Sequence, residues 1–458
     1  MIKIIREIIF IIFQLVFVIL NFIFLTEILI YMSLFNYGLF ILYNYKKYFI
    51  EFNISFLLLF LSSLQILGCF IVETKIIYLY ELRKYSFFKG SFPELILIYI
   101  IFFYSLFYFL KKDIIKKNIL KLVKCDKKLK MLEYIIFFII LIYNFYFLQK
   151  TLQVPYYKLN VDRFVYNKIM FTKIEFFFFR LHPLVIMILS YFYLNIRRLI
   201  IKLCVVLNII IIFLILFLSG NKFGEFISLV FYVFLILLPL FYKNIKKLKK
   251  MFKILLTMFS VIILLTYTHK KMYDSNYNFN KFYNYVIQRG AQQGQLWWGT
   301  YDKKYEGSVK EVILELKNGQ AKYLYNKQIN EQTGIWKIML LNAPQQIVED
   351  KYESGSRYSC SSKASINYYF GLIGNIIFSI LLARLFSFLY TFFYVRYNNI
   401  LLVLLKYFLF LKLNGRLMVL TFMSDFWVLS DIKTIILLII AFLLLKYKKF
   451  NKSRREKC

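Results

Sequence analysis

Apolar runs of about 18–20 residues recur along the whole chain, and each is long enough to cross a hydrocarbon core of ~30 Å as a helix. No soluble fold buries so many such runs. They fall at 54–72, 93–110, 131–149, 176–195, 203–219, 225–242, 252–267, 369–388, 398–412 and 434–446, after a first stretch over 8–44 that is too long for one untilted helix. Splitting that stretch near Thr26–Glu27 predicts twelve spans. Composition agrees: 60% of the 458 residues are hydrophobic, where a soluble chain is nearer 45–50%. The fold class this predicts is an all-α polytopic membrane protein. The start, "MIKIIREIIFIIFQLVFVIL", has no small-residue cleavage site and reads as a retained first span. Lys406 makes the eleventh span marginal.

The net charge of +36 would suggest nucleic acid in a soluble chain. Here it follows the positive-inside rule. Residues 111–130 hold nine Lys against two Asp, and 242–253 hold six Lys and no acid. With the N-terminus, Lys46–Lys47, Arg197–Arg198 and the tail "KYKKFNKSRREKC", these fall on one side if there are twelve spans. That side is the cytoplasm, so both termini are expected there. No nucleic-acid partner is expected. The tail, 447–458, reads as disordered.

The organisation this gives is spans one to nine over 1–267, a large outer segment over 268–368, spans ten to twelve over 369–446, and the tail. The outer segment changes composition abruptly, with three of the four Trp and nine acids, and is domain-sized. Five scattered cysteines without a CxxC pair indicate neither a disulfide framework nor a zinc site, and two histidines are too few for a His-rich centre. No metal and no cofactor is expected. There is no Walker A sequence, GxSxG or HExxH, and no pair of interrupted apolar segments in corresponding halves of the kind transporters carry.

Ionisable groups in or beside a span are costly and are functional candidates. In "LFLSGNKFGEFISLVF" (217–232), Ser219, Gly220 and Asn221 suit a tight outward turn. Lys222 follows at the outer interface and Glu225 lies about one turn into the next span. Lys222 and the helix N-terminus together are a candidate anion site, with Glu225 orienting Lys222 or accepting a proton. The alternative is that Lys222 snorkels and pairs with Glu225. In "FFFFRLHPLV" (176–185), Arg180 suits a bidentate phosphate contact, Pro183 predicts a kink, and His182 reads as a satisfied interhelical hydrogen bonder. In "QRGAQQGQLWWGTYD" (288–302), Arg289 with Gln292, Gln293, Gln295, Trp297 and Trp298 makes a candidate sugar-binding surface, or else an interfacial aromatic belt. Arg357 precedes the tenth span, and Arg163 in "VDRFVYN" is a further candidate.

At these stretches the sequence resembles the O-antigen polymerase family, the Wzy-type oligosaccharide repeat-unit polymerases. "LSGNKFGEF" resembles the family's Gly-x-Arg/Lys turn between two central spans. "RGAQQGQLWW" resembles a block early in the large periplasmic loop, and "GSRYSCSSKASINYYFGLIGNIIFSIL" the block where that loop re-enters the membrane. The resemblance implies a GT-C-like fold in the bacterial inner membrane. It also implies a metal-independent glycosyltransferase whose substrate is an undecaprenyl-diphosphate-linked oligosaccharide. A flippase and a chain-length regulator of the same pathway would be partners. Carried over by position, Lys222, Arg289 and Arg357 would hold the diphosphate, with Lys standing at 222 where Arg is common. Glu225 is the candidate base, and Asp162 the next to test. The rival readings are an O-antigen ligase and a lipid-linked oligosaccharide flippase or transporter.

Overall fold

The computed structural model describes the chain apart from residues 1, 113–130, 160–162, 197, 221–222, 243–266, 268–270, 272–275, 320–322, 326, 355–356, 359–361, 398, 424–425 and 458. In chain order the principal elements are α1 (Ile2–Phe24), α2 (Ile28–Lys47), α3 (Phe49–Ile54), α4 (Phe56–Thr74), β1 (Tyr78–Leu79), β2 (Lys84–Tyr85) and α5 (Phe92–Lys112). There follow α6 (Met131–Gln153), α7 (Tyr156–Leu159), α8 (Arg163–Met170), α9 (Lys173–Phe179), α10 (His182–Asn195), α11 (Leu199–Leu218) and α12 (Phe223–Tyr242). The last are α13 (Phe279–Thr300), α14 (Val309–Asn318), α15 (Gly334–Leu340), α16 (Gln345–Glu353), α17 (Ser362–Phe393), α18 (Ile400–Phe422) and α19 (Ile432–Lys457).

This is an all-α membrane protein: seven helical stretches among the described residues are long and apolar enough to cross a membrane. They correspond to α2, α4, α5, α6, α9 with α10, α11 and α17. Shorter apolar stretches run over Ile8–Phe24 and Glu225–Leu240. The span expected over 252–267 lies outside the described residues, apart from Tyr267. The one described sheet is the antiparallel β1–β2 pair.

The chain divides into two compact units. The first comprises Met1–Ile114, Tyr277–Phe392 and Lys412–Cys458. Buried amides tie its spans together: Gln14 Nε2 donates to Ser33 Oγ at 2.9 Å and to the Pro93 carbonyl at 2.9 Å, and Asn36 Nδ2 donates to Gln14 Oε1 at 3.0 Å. Such bonds link helices where lipid offers no hydrophobic driving force. Phe22, Ile23, Phe35 and Leu42 are left more than half exposed on α1 and α2, a surface suited to hydrocarbon. The expected outer segment, from Tyr277 onward, clusters with these helices. The reason is α13, which packs along α4 through glycine. A Cβ on Gly294 would stand 2.1 Å from the Cys69 nitrogen, and one on Gly68 would stand 2.4 Å from the Gly290 oxygen. Small residues let two backbones approach this closely.

α17 is not one straight span. Gly371 has φ +61° and ψ −158°, a region open essentially to glycine alone. Lys363 Nζ donates to Ser379 Oγ at 2.8 Å, and Asn375 Nδ2 donates to the Lys363 carbonyl at 3.2 Å. In a continuous helix Lys363 and Ser379 would be roughly 24 Å apart along the axis. The arm 362–370 therefore doubles back on the arm that follows Gly371. The Asn367 and Tyr368 carbonyls, left open at the end of the first arm, accept from Tyr305 N at 3.5 Å and Gly307 N at 3.1 Å. The backbone of α19 stays helical to Lys457, so the basic tail is not irregular as expected. A continuous helix draws each backbone group into an internal bond even where the side chains are charged.

The second unit comprises Ile115–Asn276 and Phe393–Leu411. Here α10 packs on α11 and α12, and α11 packs on α6, with Asn144 Nδ2 donating to Asn208 Oδ1 at 2.9 Å across the latter contact. Lys406 is buried, and its Nζ donates to the Val395 carbonyl at 3.1 Å.

Candidate functional site

Residues 172–183 break one apolar run into two helices. Thr172 and Glu175 form a reciprocal capping box that starts α9. α9 ends at Arg180, and Pro183 sits in the first turn of α10, where its missing N–H costs nothing. The break falls just before the proline and sets Arg180 and His182 beside each other at the joint. Gly220, with φ +71°, closes the turn after α11 against the Tyr156 ring, which a Cβ would meet at 2.4 Å. Ser219 and Gly220 of the expected turn stand there, Asn221 lies outside the described residues, and α12 then begins at Phe223 with Glu225 in its first turn.

These two breaks border one cavity of about 310 Å³. Asn167, Phe176, Arg180, His182, Glu225, Ser228 and Tyr232 are among its lining residues. The structure thus brings together Arg180 and Glu225, two residues singled out separately in the sequence. Both are exposed, and the Arg180 guanidinium lies 4.2 Å from the Phe176 ring centroid. His182 is 1% exposed. Its Nδ1 stands 2.5 Å from the Phe179 carbonyl oxygen and 3.3 Å from the Tyr143 hydroxyl, which itself donates to the Phe178 carbonyl at 2.7 Å. A carbonyl only accepts, so Nδ1 carries the proton. His182 Nε2 and Asn167 Oδ1 are buried with no hydrogen-bond partner among the described residues. His182 thus meets the expected interhelical hydrogen bonder at Nδ1, through Tyr143 of α6, and departs from it at Nε2. Nearby, burial pushes the Tyr166 phenol up to about 12, so it stays a donor, to the Val154 carbonyl at 2.8 Å.

The other sequence candidates are placed elsewhere. Lys222 and Asp162 lie outside the described residues, and Arg163 is the first residue of α8. In the first unit, Arg289 is exposed and bonds within its own helix, to the Tyr285 hydroxyl at 3.3 Å and Gln292 Oε1 at 3.0 Å. Arg357 lies over the Trp336 ring at 5.6 Å. Gln293 is half-buried.

The sugar-stacking surface is corrected. Trp297 and Trp298 are 0% exposed, with indole N–H groups spent on the Ser91 carbonyl at 3.0 Å and the Phe87 carbonyl at 2.8 Å. Gln295 is also buried and bonds Glu81. Phe87, Lys84 and Lys89 lie against the Trp298 ring and Tyr301 against that of Trp297, and both rings are buried, so neither offers a face to a ligand.

Sequence reasoning missed several buried charges. Glu73 accepts from the backbone N–H groups of Lys89, Gly90 and Ser91 at 2.8, 3.0 and 2.8 Å, which ties the end of α4 to the start of α5. Glu94 accepts from the Tyr301 hydroxyl at 2.8 Å and bonds Lys304 Nζ. Lys337 pairs with Glu311 at 2.7 Å. Lys363 differs, being 1% exposed. Its partners are the Ser379 hydroxyl and the Tyr99 and Phe102 rings at 5.8 and 5.9 Å, with no carboxylate among the described residues. Little in the sequence signals this lysine, because Lys363 stands in the Ser-rich stretch "SCSSKAS" ahead of the expected tenth span. No group of three or more His, Cys, Asp or Glu placed to hold a metal occurs among the described residues.

Residues 329–438 match a family of unknown function, DUF6418. That stretch contains Arg357, Lys363 and the Gly371 fold-back, but not the Arg180–Glu225 cavity. No curated protein and no solved structure matches the chain.

Proposed function

We propose that the chain polymerises undecaprenyl-diphosphate-linked oligosaccharide repeat units at the outer face of the bacterial inner membrane. One observation carries this reading. A guanidinium (Arg180) and a carboxylate (Glu225), both flagged by their position at the ends of apolar runs, line a single cavity between helices. The reaction needs that pairing of charges. As the glycosidic bond to the lipid carrier breaks, negative charge grows on the leaving diphosphate, and each well-placed cationic donor lowers that barrier by about 3 kcal/mol. Lys222 precedes α12 in the chain and is the second cation we assign to the diphosphate. Arg289 and Arg357 belong to the first unit and are tested by substitution apart from this cavity. The attacking hydroxyl must lose a proton, for which Glu225 is the acceptor suggested by its place in the sequence. Both substrates are lipid-borne and diffuse in the bilayer plane, which suits a cavity reached at the ends of spans. A flippase and a chain-length regulator would work beside such an enzyme.

Deleting the gene from its host tests the reading. The expected result is surface glycan reduced to single repeat units on its final acceptor, with a ladder restored by the intact gene. An unchanged ladder overturns it.

A second reading is favoured by the fold-back of α17 at Gly371 and the buried Lys363. Interrupted helices in a span mark substrate sites in transporters. If the chain moves the lipid-linked oligosaccharide rather than joining it, deletion stalls the glycan at the inner face and no single units reach the surface.

A further inference from the structure

We infer that the second-unit cavity is the subsite of the hydroxyl-bearing acceptor sugar, and that His182 Nε2, not the Glu225 carboxylate, takes the proton of the attacking hydroxyl. The inference rests on the polymerase reading above, adds to it the acceptor's chemistry, and replaces Glu225, the base that sequence position alone suggested there.

Three observations carry it. The first is the tautomer. Nδ1 faces the Phe179 carbonyl, which can only accept, and the nearby Tyr143 hydroxyl has committed its own proton to the Phe178 carbonyl. The neutral ring therefore presents a lone pair at Nε2. The second is the match of orphaned atoms. Nε2 and Asn167 Oδ1 are both buried acceptors without a partner among the described residues, and both residues line the cavity. Two buried acceptors call for a ligand that brings donors, and a pyranose brings several hydroxyls. The third is shape. A volume of about 310 Å³ is at the lower end of small-molecule sites, roughly 300–1,000 Å³. It suits one ring rather than a whole repeat unit. Phe176, Leu216 and Leu229 supply the apolar wall that a sugar's C–H face requires.

The step balances. The acceptor O–H gives its proton to Nε2 while its oxygen bonds the anomeric carbon of the donor glycan. The bond from that carbon to the diphosphate breaks, and its electron pair leaves on the phosphate oxygen. The imidazolium then returns its proton to the departing diphosphate or to solvent. Besides His182, the charged or titratable groups facing this space among the described residues are Arg180 from the end of α9, Glu225 and Tyr232 from α12 and Tyr143 from α6. A protonated imidazole cannot act as base, so elongation must fall on the acid side with the titration of His182.

The test uses the full-length protein in membrane vesicles from the deletion strain, loaded with the lipid-linked repeat units that strain accumulates. His182→Asn keeps an amide able to donate to the Phe179 carbonyl but removes Nε2. Inserted at wild-type level, it should lower elongation roughly 10²–10⁴-fold and abolish the acid limb, whereas Glu225→Gln should keep that limb. An H182N variant that elongates at the wild-type rate, or that keeps the wild-type acid limb, overturns the inference while leaving the polymerase reading intact. Failure of the deletion strain to accumulate exported single units overturns that reading instead. A second measurement is independent of turnover. The chain has only two histidines, so ¹⁵N NMR of histidine-labelled protein resolves His182. An unprotonated Nε2 whose resonance shifts on addition of methyl pyranoside, and does not shift in Asn167→Leu, supports the subsite. A protonated Nε2, or no shift at saturating glycoside, overturns it.

Discussion

The α4–α13 contact and the Arg180–His182 cavity are built from the same kinds of residue and differ in what their neighbours leave over. In the first unit, glycines at 68, 290 and 294 bring two backbones together, and the indoles of Trp297 and Trp298 are buried with their N–H groups bonded to carbonyls. In the second, two helix breaks hold side chains apart, and an imidazole nitrogen and an amide oxygen stay buried without partners among the described residues. Aromatic rings, amides and arginine occur in both places. Residue type alone does not separate a packed interface from a site. The presence of space beside an unsatisfied polar atom does.

The largest effect that would break this contrast belongs to the packed side. Gly294→Leu would drive a Cβ to 2.1 Å from the Cys69 nitrogen and 2.4 Å from the Gly68 carbonyl carbon. These are backbone atoms that cannot rotate away. We expect a loss of about 3 kcal/mol, read as a fall in the thermal midpoint in detergent and as alkylation of the buried Cys69 thiol. An unchanged midpoint would mean that the two helices do not meet through glycine. On the cavity side, Arg180→Ala should do the reverse. The side chain is exposed, so stability should stay within ~0.5 kcal/mol, while elongation of lipid-linked repeat units falls on the order of 10²-fold.

Gly371→Ala comes next. The ring of Tyr305 stands 2.0 Å from where its Cβ would be, but that side chain is 61% exposed and can swing away. What cannot relax is the backbone, at a cost of about 2 kcal/mol. The double variant with Tyr305→Ala should therefore recover little, and full recovery would place the strain in the ring. Trp298→Phe should cost only the bond to the Phe87 carbonyl, about 1 kcal/mol. It should leave glycan length untouched, and a shortened ladder would revive the sugar-stacking role.

Seven of the twelve expected spans are long and apolar enough among the described residues, and they were legible because their length follows from the bilayer, which acts on each segment alone. The turn at Gly220 and the break near Pro183 were legible for a similar reason, since both are set by local backbone preference. What the sequence concealed was relational. "RGAQQG" reads as a polar stretch, because three of its six residues are polar or charged and two are glycine. Only its apposition to Gly68 on α4, more than 200 residues earlier, makes Gly290 and Gly294 a helix contact. The fold-back of α17 hid in the same way: "FGLIG" is apolar throughout, and the bond from Lys363 to Ser379 spans 16 residues. His182 was visible, but which of its nitrogens was satisfied was not. Arg180 and Glu225 were each flagged by charge within an apolar run, and their common cavity depends on packing between α10 and α12.

The smallest effect sharpens the packed side through pH. Lys84 Nζ and Lys89 Nζ lie over the Trp298 ring at 5.3 and 4.6 Å. Lys89 also pairs with Asp302, while Lys84 has no ion pair among the described residues. Burial first, and then the neighbouring Lys89 and Lys303, push the Lys84 amine down from 10.5 to about 8, with Asp302 opposing. Between about 8 and 10.5 the unfolded chain holds a proton that the folded chain has released, so stability rises with pH across that window. Below pH 8 both states are protonated and the full penalty stands. Lys84→Gln should therefore be more stable than the parent at pH 7, and the two midpoints should converge by about pH 10.5. A difference that stays constant from pH 7 to 10.5 would mean that Lys84 is not held against its neighbours as the structure has it. The Trp298 ring would then be covered by something looser than a lysine clamp.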